Sequence, residues 1–151
     1  MEPSESVRKL GPWPRFGARL LDGLVLFIPI LVITVPISGG FRVGTGNTGK
    51  QFIATALGVL LAYAYFVLME SSRGSTIGKR ALGIEVKAES GNPTTAQSAR
   101  RNAWMLISII PGSVGGLLAF AIAIAIAVSI SSDPAGRGLH DRFAQVELTR
   151  A

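Results

Sequence analysis

AWMLISIIPGSVGGLLAFAIAIAIAVSI, residues 103–130, is an uncharged run of 28 residues broken once, at Pro111-Gly112. Its reading decides how the chain is folded. A hydrocarbon core of about 30 Å needs roughly 20 apolar helical residues, so the run is long for one crossing and short for two full ones. Either it is a single kinked, tilted span, or PGSVGG interrupts the helix and residues 103–110 and 117–130 form the arms of a hairpin. Alternation of small and large residues in AFAIAIAIAV (119–128) imitates a strand. A lone strand in lipid leaves its backbone unpaired, so a helix is expected.

Charge on either side of the run favours the hairpin. Two further blocks qualify as spans: residues 20–38, uncharged but for Asp22, and residues 52–69, without charge. Arg8, Lys9, Arg15 and Arg19 precede or open the first block, and only Arg42 and Lys50 separate the two. Six basic residues (Arg73, Lys79, Arg80, Lys87, Arg100, Arg101) lie before the third block, and Arg137, Arg142 and Arg150 follow it. A single crossing would put ten basic residues inside and five outside; a hairpin puts thirteen inside and two outside. The positive-inside rule therefore predicts a cytoplasmic N-terminus, a cytoplasmic segment 70–102 and a cytoplasmic tail, with GGFRVGTGNTG (39–49) outside.

Composition agrees with a membrane protein. Of 151 residues 48% are hydrophobic and only 16% charged, a balance too apolar for an ordinary soluble domain, with the apolar residues concentrated in a few blocks. The first apolar block exceeds a signal-peptide core and is expected to be retained. The net charge of +6 flanks the spans without interleaved aromatics, which argues for membrane topology and against nucleic acid. Absence of cysteine excludes disulfides and thiol chemistry. The expected fold is an all-α membrane protein, a small polytopic helix bundle with spans at about 16–38, 52–69 and 103–130. Residues 1–14 form a cytoplasmic segment, 15–148 one membrane domain, and 149–151 the end. A small cytoplasmic β patch is expected from Ile84-Glu85-Val86 and AQVELTR (144–150), with SGNP (90–93) as a turn and Thr95 or Ser98 capping a helix that carries Arg100 and Arg101 to the membrane. Lys79 and Arg80 are expected to reach lipid phosphates. Small residues every fourth position, at Ala54/Gly58/Ala62, Ala119/Ala123/Ala127 and Gly112/Gly116, suit close helix packing within the chain, and Ala121/Ala125 would let a second face of the last helix do the same.

Asp22 is the acid to explain. It lies about two turns inside the first span, near its cytoplasmic end. An intramembrane acid marks a functional site by default, whereas a shallow one is also suited to docking. Arg19, three residues earlier, is the first expected partner, followed by the GKR segment or Arg137 to Arg142. His140 beside Asp141 lacks a ligand cluster, and GSTIGKR lacks the spacing of a phosphate loop. No catalytic, cofactor-binding or metal-ligating set emerges, so the chain is not expected to be an enzyme.

PRFGARLLDG (14–23), GSTIGKRALGIEV (74–86) with SGNP and ARRN, and GRGLHDRFA (136–144) together resemble, in order, the signature regions of the RDD family of small membrane proteins. That family is named for an arginine and two aspartates, matched here by Arg15, Asp22 and Asp141. Glu70, Gly74, Thr76, Gly78, Lys79, Arg80 and Gly83 match its central motif, Arg101-Asn102 its third region, and His140 its His-Asp pair. Gln145-Val146 stands where the family has a small Gly-Thr pair. The resemblance implies a multi-pass cell-membrane protein; transport has been suggested for the family from its membrane character. Two functions are weighed. One is a non-enzymatic accessory protein whose basic cytoplasmic face meets the bilayer's anionic lipids, a partner membrane complex or a second copy of the chain. The alternative is a transporter or ion- or proton-translocating subunit using Asp22, Glu70 and Asp141; Arg19, Asp22 and Glu70 form a candidate ion or docking site. Beyond Asp22 the apolar blocks carry no charged residue, and Thr34, Thr55, Ser108 and Ser113 do not make a continuous polar path, which favours the first.

Overall fold

The computed structural model describes residues 10–40 and 48–150. The expected N-terminal segment before Leu10, Arg42 with most of the intervening loop, and Ala151 lie outside the described residues. Three helices are long and apolar enough to span a membrane: α1 (Pro12–Ser38), α2 (Thr48–Arg73) and α5 (Ser113–Ser132). Between α2 and α5 lie α3 (Ile77–Ala81), β1 (Ile84–Ala88), α4 (Thr95–Asn102) and a 3₁₀ helix (Ala103–Ile109). After α5 come α6 (Leu139–Ala144) and β2 (Val146–Arg150).

Helix α1 opens on Pro12 and Pro14, whose missing N–H groups cost nothing in a first turn, and closes at Gly39 in the left-handed region (φ +88°). Its large side chains at Leu24, Phe27, Ile28 and Val32 face outward. Outside the membrane that would be an aggregation surface; in lipid it is the favourable arrangement. Helix α2 packs along it at Gly58, where a side chain would press to within 3.3 Å of Ile30 and 3.5 Å of Thr34.

The broken block is a hairpin of unequal arms. Residues 103–109 wind as a 3₁₀ helix, about 14 Å long at roughly 2 Å per residue, and Gly112 (φ +77°) turns the chain into the 20-residue α5. The second arm therefore starts at Ser113, earlier than the Leu117 expected, because Gly115 sits so close against the Ile110 carbonyl that any side chain would overlap it. Gly115 is the close-packing residue; Gly116 has open space, and the Gly112/Gly116 spacing is not the contact. Of the two small stripes on α5, Ala119 is buried while Ala121 and Ala125 are exposed, so one face packs and the other meets the surroundings.

Both ends of the hairpin return to the same end of the bundle. There β1 and β2 pair antiparallel, Val86 opposite Leu148 and Ala88 opposite Val146. Their inward residues join Leu10, Ala18 and Ala144 in the compact apolar core. Helix α4 is capped by Thr94, not Thr95 or Ser98: Thr94 and Gln97 form a reciprocal capping box, and Ser98 is buried one turn later.

Candidate functional site

The buried polar groups collect where α1, α2, α3, α4 and α6 meet. Asp22, Glu70, Thr76, Lys79, Arg101, Asn102 and Asp141 are all at most 4% exposed, a burial that charged groups tolerate only when partnered.

Asp22 forms the first node. Its spacing from Ala18 puts both on one face of α1, and α3 crosses that face at Gly78. A side chain on Gly78 would overlap the Ala18 carbonyl and come within 2.9 Å of the Asp22 carboxyl carbon, so only glycine lets the helices approach this closely. The contact brings three donors to Asp22. The Gly78 backbone N–H donates at 2.7 Å, the Tyr65 hydroxyl at 2.8 Å and the Thr76 hydroxyl at 2.6 Å. Thr76 also caps α3, and Tyr65 accepts from the Ile77 N–H at 3.1 Å. The expectation of a basic partner is thus corrected. Arg19 turns away to Asn102 Oδ1 (3.3 Å) and Met105 Sδ (2.8 Å), its guanidinium 3.8 Å above the Phe66 ring. Arg137 pairs instead with Asp133 at 3.6 Å, Arg142 is exposed, and the GKR segment supplies a backbone N–H in place of a cation. Neutral donors suffice because three of them engage both carboxyl oxygens without desolvating a second charge.

The second node is a chain of ion pairs from Lys79 to Glu70, Arg101, Asp141 and Arg15. Lys79 donates to Glu70, which also accepts from Arg101 at 2.5 Å and from Asn102 Nδ2 at 3.0 Å. Arg101 spans the two acids through its fork, Nη1 to Glu70 and Nε to Asp141 at 2.7 Å. Asp141 accepts from Arg15 at 2.5 Å and from the Gly138 N–H at 3.0 Å, while Arg15 also donates to the Gly136 carbonyl. Lys79 and Arg101, expected at the membrane surface, are therefore buried; Arg80 and Arg100 are the exposed members of those pairs. The reason is that Glu70 would otherwise be buried without a counter-charge and Asp141 would have Arg15 alone.

Outside the spans the electrostatics follow from this packing. Burial pushes the Lys79 ammonium down to about 8 against the pull of Glu70. Burial opposes the Arg101 charge as well, but Glu70 and Asp141 outweigh it and hold the guanidinium above its ordinary range. For Asp141 burial alone would raise the carboxyl; Arg101 outweighs it and keeps the group well below the usual carboxylate range. His140, 3.4 Å from Asp141, is pushed down to about 3 by burial and by Arg101, so its imidazole is neutral near pH 7.

These are the residues of the signature motifs, brought from five elements to one end. A family model, the RDD family, matches residues 10–145. The chain belongs to the RDD family. No curated protein and no solved structure matches it.

In this RDD protein the arginine and the second aspartate pair directly, and the first aspartate occupies a separate node. Gly83 (φ +62°) serves the turn from α3 into β1. Gln145, where the family has a small residue, takes a left-handed conformation (φ +57°), the one non-glycine to do so among the described residues. Tyr65 escaped sequence reasoning. A tyrosine five residues before Glu70 in an apolar span was the available signal, since a buried hydroxyl needs a partner. Among the described residues no group of three acidic, histidine or cysteine side chains is placed to hold a metal.

Proposed function

We propose that this RDD membrane protein is a non-enzymatic accessory or interaction protein of the cell membrane, with its polar end in the cytoplasm and its basic residues meeting anionic lipid or a partner complex. The observation that carries the reading is the closure of the polar core. Glu70 and Asp141 are engaged by Arg101 and its neighbours, and Asp22 by three donors. A carboxyl with both oxygens so engaged favours a docking role over a binding role for a moving ion. Polar groups deeper in the spans are few, and Thr34 is satisfied by its own helix at Ile30. Arg80, Arg100, Arg142 and the half-exposed Lys87 and Arg137 at the same end supply the basic surface.

Reporter fusions at Ala151 active only outside the cytoplasm should be silent, and mass spectrometry of detergent-purified protein should find co-purifying lipid or partner chains. The transporter alternative, through Asp22, Glu70 and Asp141, is established instead if purified protein in vesicles carries robust ion or proton flux that a stably folded Asp22→Asn variant loses.

A further inference from the structure

Helices α1 and α5 flank a cavity of about 160 Å³ that opens beside the exposed Phe16. It is lined by Arg15, Arg19, Lys79 and Arg101 and by apolar residues of α5 including Ala123 and Ala127. The four cations are unequally matched. Arg15, Lys79 and Arg101 share two carboxylates, Glu70 and Asp141. Among the described residues Arg19 has no carboxylate within ion-pair distance; its hydrogen-bond partners are an amide and a thioether. Arg15 Nε is buried without a partner. Arg19 feels Glu70 and Asp22 only from beyond ion-pair distance, so a cavity lined by four cations, with one guanidinium lacking an ion-pair partner and one unpartnered buried N–H, favours an anion. The apolar wall adds the second requirement, because a free anion would leave it unused while an acyl chain would cover it.

The geometry points to a binding site for one anionic membrane lipid, its phosphate at Arg15 and Arg19 and an acyl chain against Ala123 and Ala127. This rests on the membrane-interaction reading above and narrows it to a single place. The small stripe of α5 then has a purpose at Ala123 and Ala127: it keeps the wall low enough for a chain to lie between the helices.

The two tryptophans make the test direct, since Trp104 lines the cavity and Trp13 is exposed on α1. In a Trp13→Phe background, delipidated full-length protein in detergent is titrated with phosphatidylglycerol or phosphatidylcholine brominated on the acyl chain, and quenching of Trp104 is read. Phosphatidylglycerol should quench saturably and about tenfold more tightly than phosphatidylcholine, and Arg19→Gln should weaken it about tenfold, the worth of one charge-assisted hydrogen bond. Arg80→Gln, which lowers the charge of the exposed basic face without touching the cavity, should weaken it far less than Arg19→Gln. Should Arg19→Gln fail to fold, Ala127→Leu, which fills the apolar half without touching a charge, should weaken quenching in its place. Equal quenching by phosphatidylcholine, or indifference to both cavity variants, overturns the site. Displacement by millimolar inorganic phosphate overturns the lipid in favour of a free anion. Equal loss in Arg80→Gln and Arg19→Gln also overturns it, showing diffuse attraction to the basic face, and in that case the broader function stands.

Discussion

At the scale of the residue, Asp22 shows how an acid can be buried in an apolar helix without a cation. Each of its donors is itself fixed by the turn that α3 makes, so the carboxyl reads the position of that turn. An asparagine can keep the Tyr65 and Gly78 bonds on its oxygen and donate to Thr76, losing charge assistance only. Asp22→Asn should therefore cost about 1 kcal/mol and Asp22→Ala about 3 kcal/mol or more, measured as denaturation in detergent. Equal costs would mean that the charge, not the hydrogen-bond set, holds α3. His140 carries a pH prediction. Its ordinary value is 6.5 and burial takes it to about 3, so between those values the unfolded chain binds a proton that the folded chain refuses. Stability from this residue is complete above pH 6.5 and falls as the pH drops toward 3. Thermal midpoints measured from pH 7 to pH 4 should decline in the wild type and decline less in His140→Gln. Asp141 acts in the same direction at lower pH, because its carboxyl is held down in the folded state.

At the scale of the element, Arg101 closes the last turn of α4 and ties α2 to α6 across the entrance to the hairpin. Arginine is needed because its Nε and Nη1 point to different acids at once; an ammonium is a single point charge. Arg101→Lys should keep one pair and lose about 2 kcal/mol, whereas Arg101→Ala should cost about 3–5 kcal/mol by leaving buried carboxylates short of charge. Limited proteolysis of the α5–α6 connection should report the same order. The hairpin itself was legible beforehand from Pro111-Gly112 and the arginine count. The place of its first arm was legible too, at 103–110 against the observed Ala103–Ile109; its 3₁₀ winding was not, because a 3₁₀ helix has no distinctive composition, and the close seat of Gly115 on the Ile107 and Ile110 carbonyls is a tertiary contact.

At the scale of the molecule, the N-terminal turn of α1, the C-terminal end of α2, both ends of the hairpin and the sheet share one end. A cysteine-free chain lets this be checked with a single engineered pair. Lys87 and Glu147 are opposed, exposed partners in the antiparallel ladder. Opposed partners of this kind lie about 4.5–5.5 Å apart between Cα atoms, within disulfide reach. Lys87→Cys with Glu147→Cys should cross-link on mild oxidation in intact membranes and shift mobility on a non-reducing gel. An absent cross-link would place the tail away from the segment before the hairpin and undo the hairpin with it.

Length and composition determined three apolar blocks fit for a bilayer, because a hydrocarbon core needs about 20 apolar helical residues to cross it, and the placement of arginine favoured a third block that turns back, because basic residues are kept on the cytoplasmic side. Alternation at Ile84, Val86, Val146 and Leu148 determined the two strands for the same local reason: side chains on one face must share one environment. Partnership among the buried charges was decided only in three dimensions. Arg19 is three residues from Asp22 and does not bond it, whereas Arg15 reaches Asp141, 126 positions away. Spacing along a helix says which groups share a face, but which group meets that face depends on how closely another element approaches, and here Gly78 sets that approach.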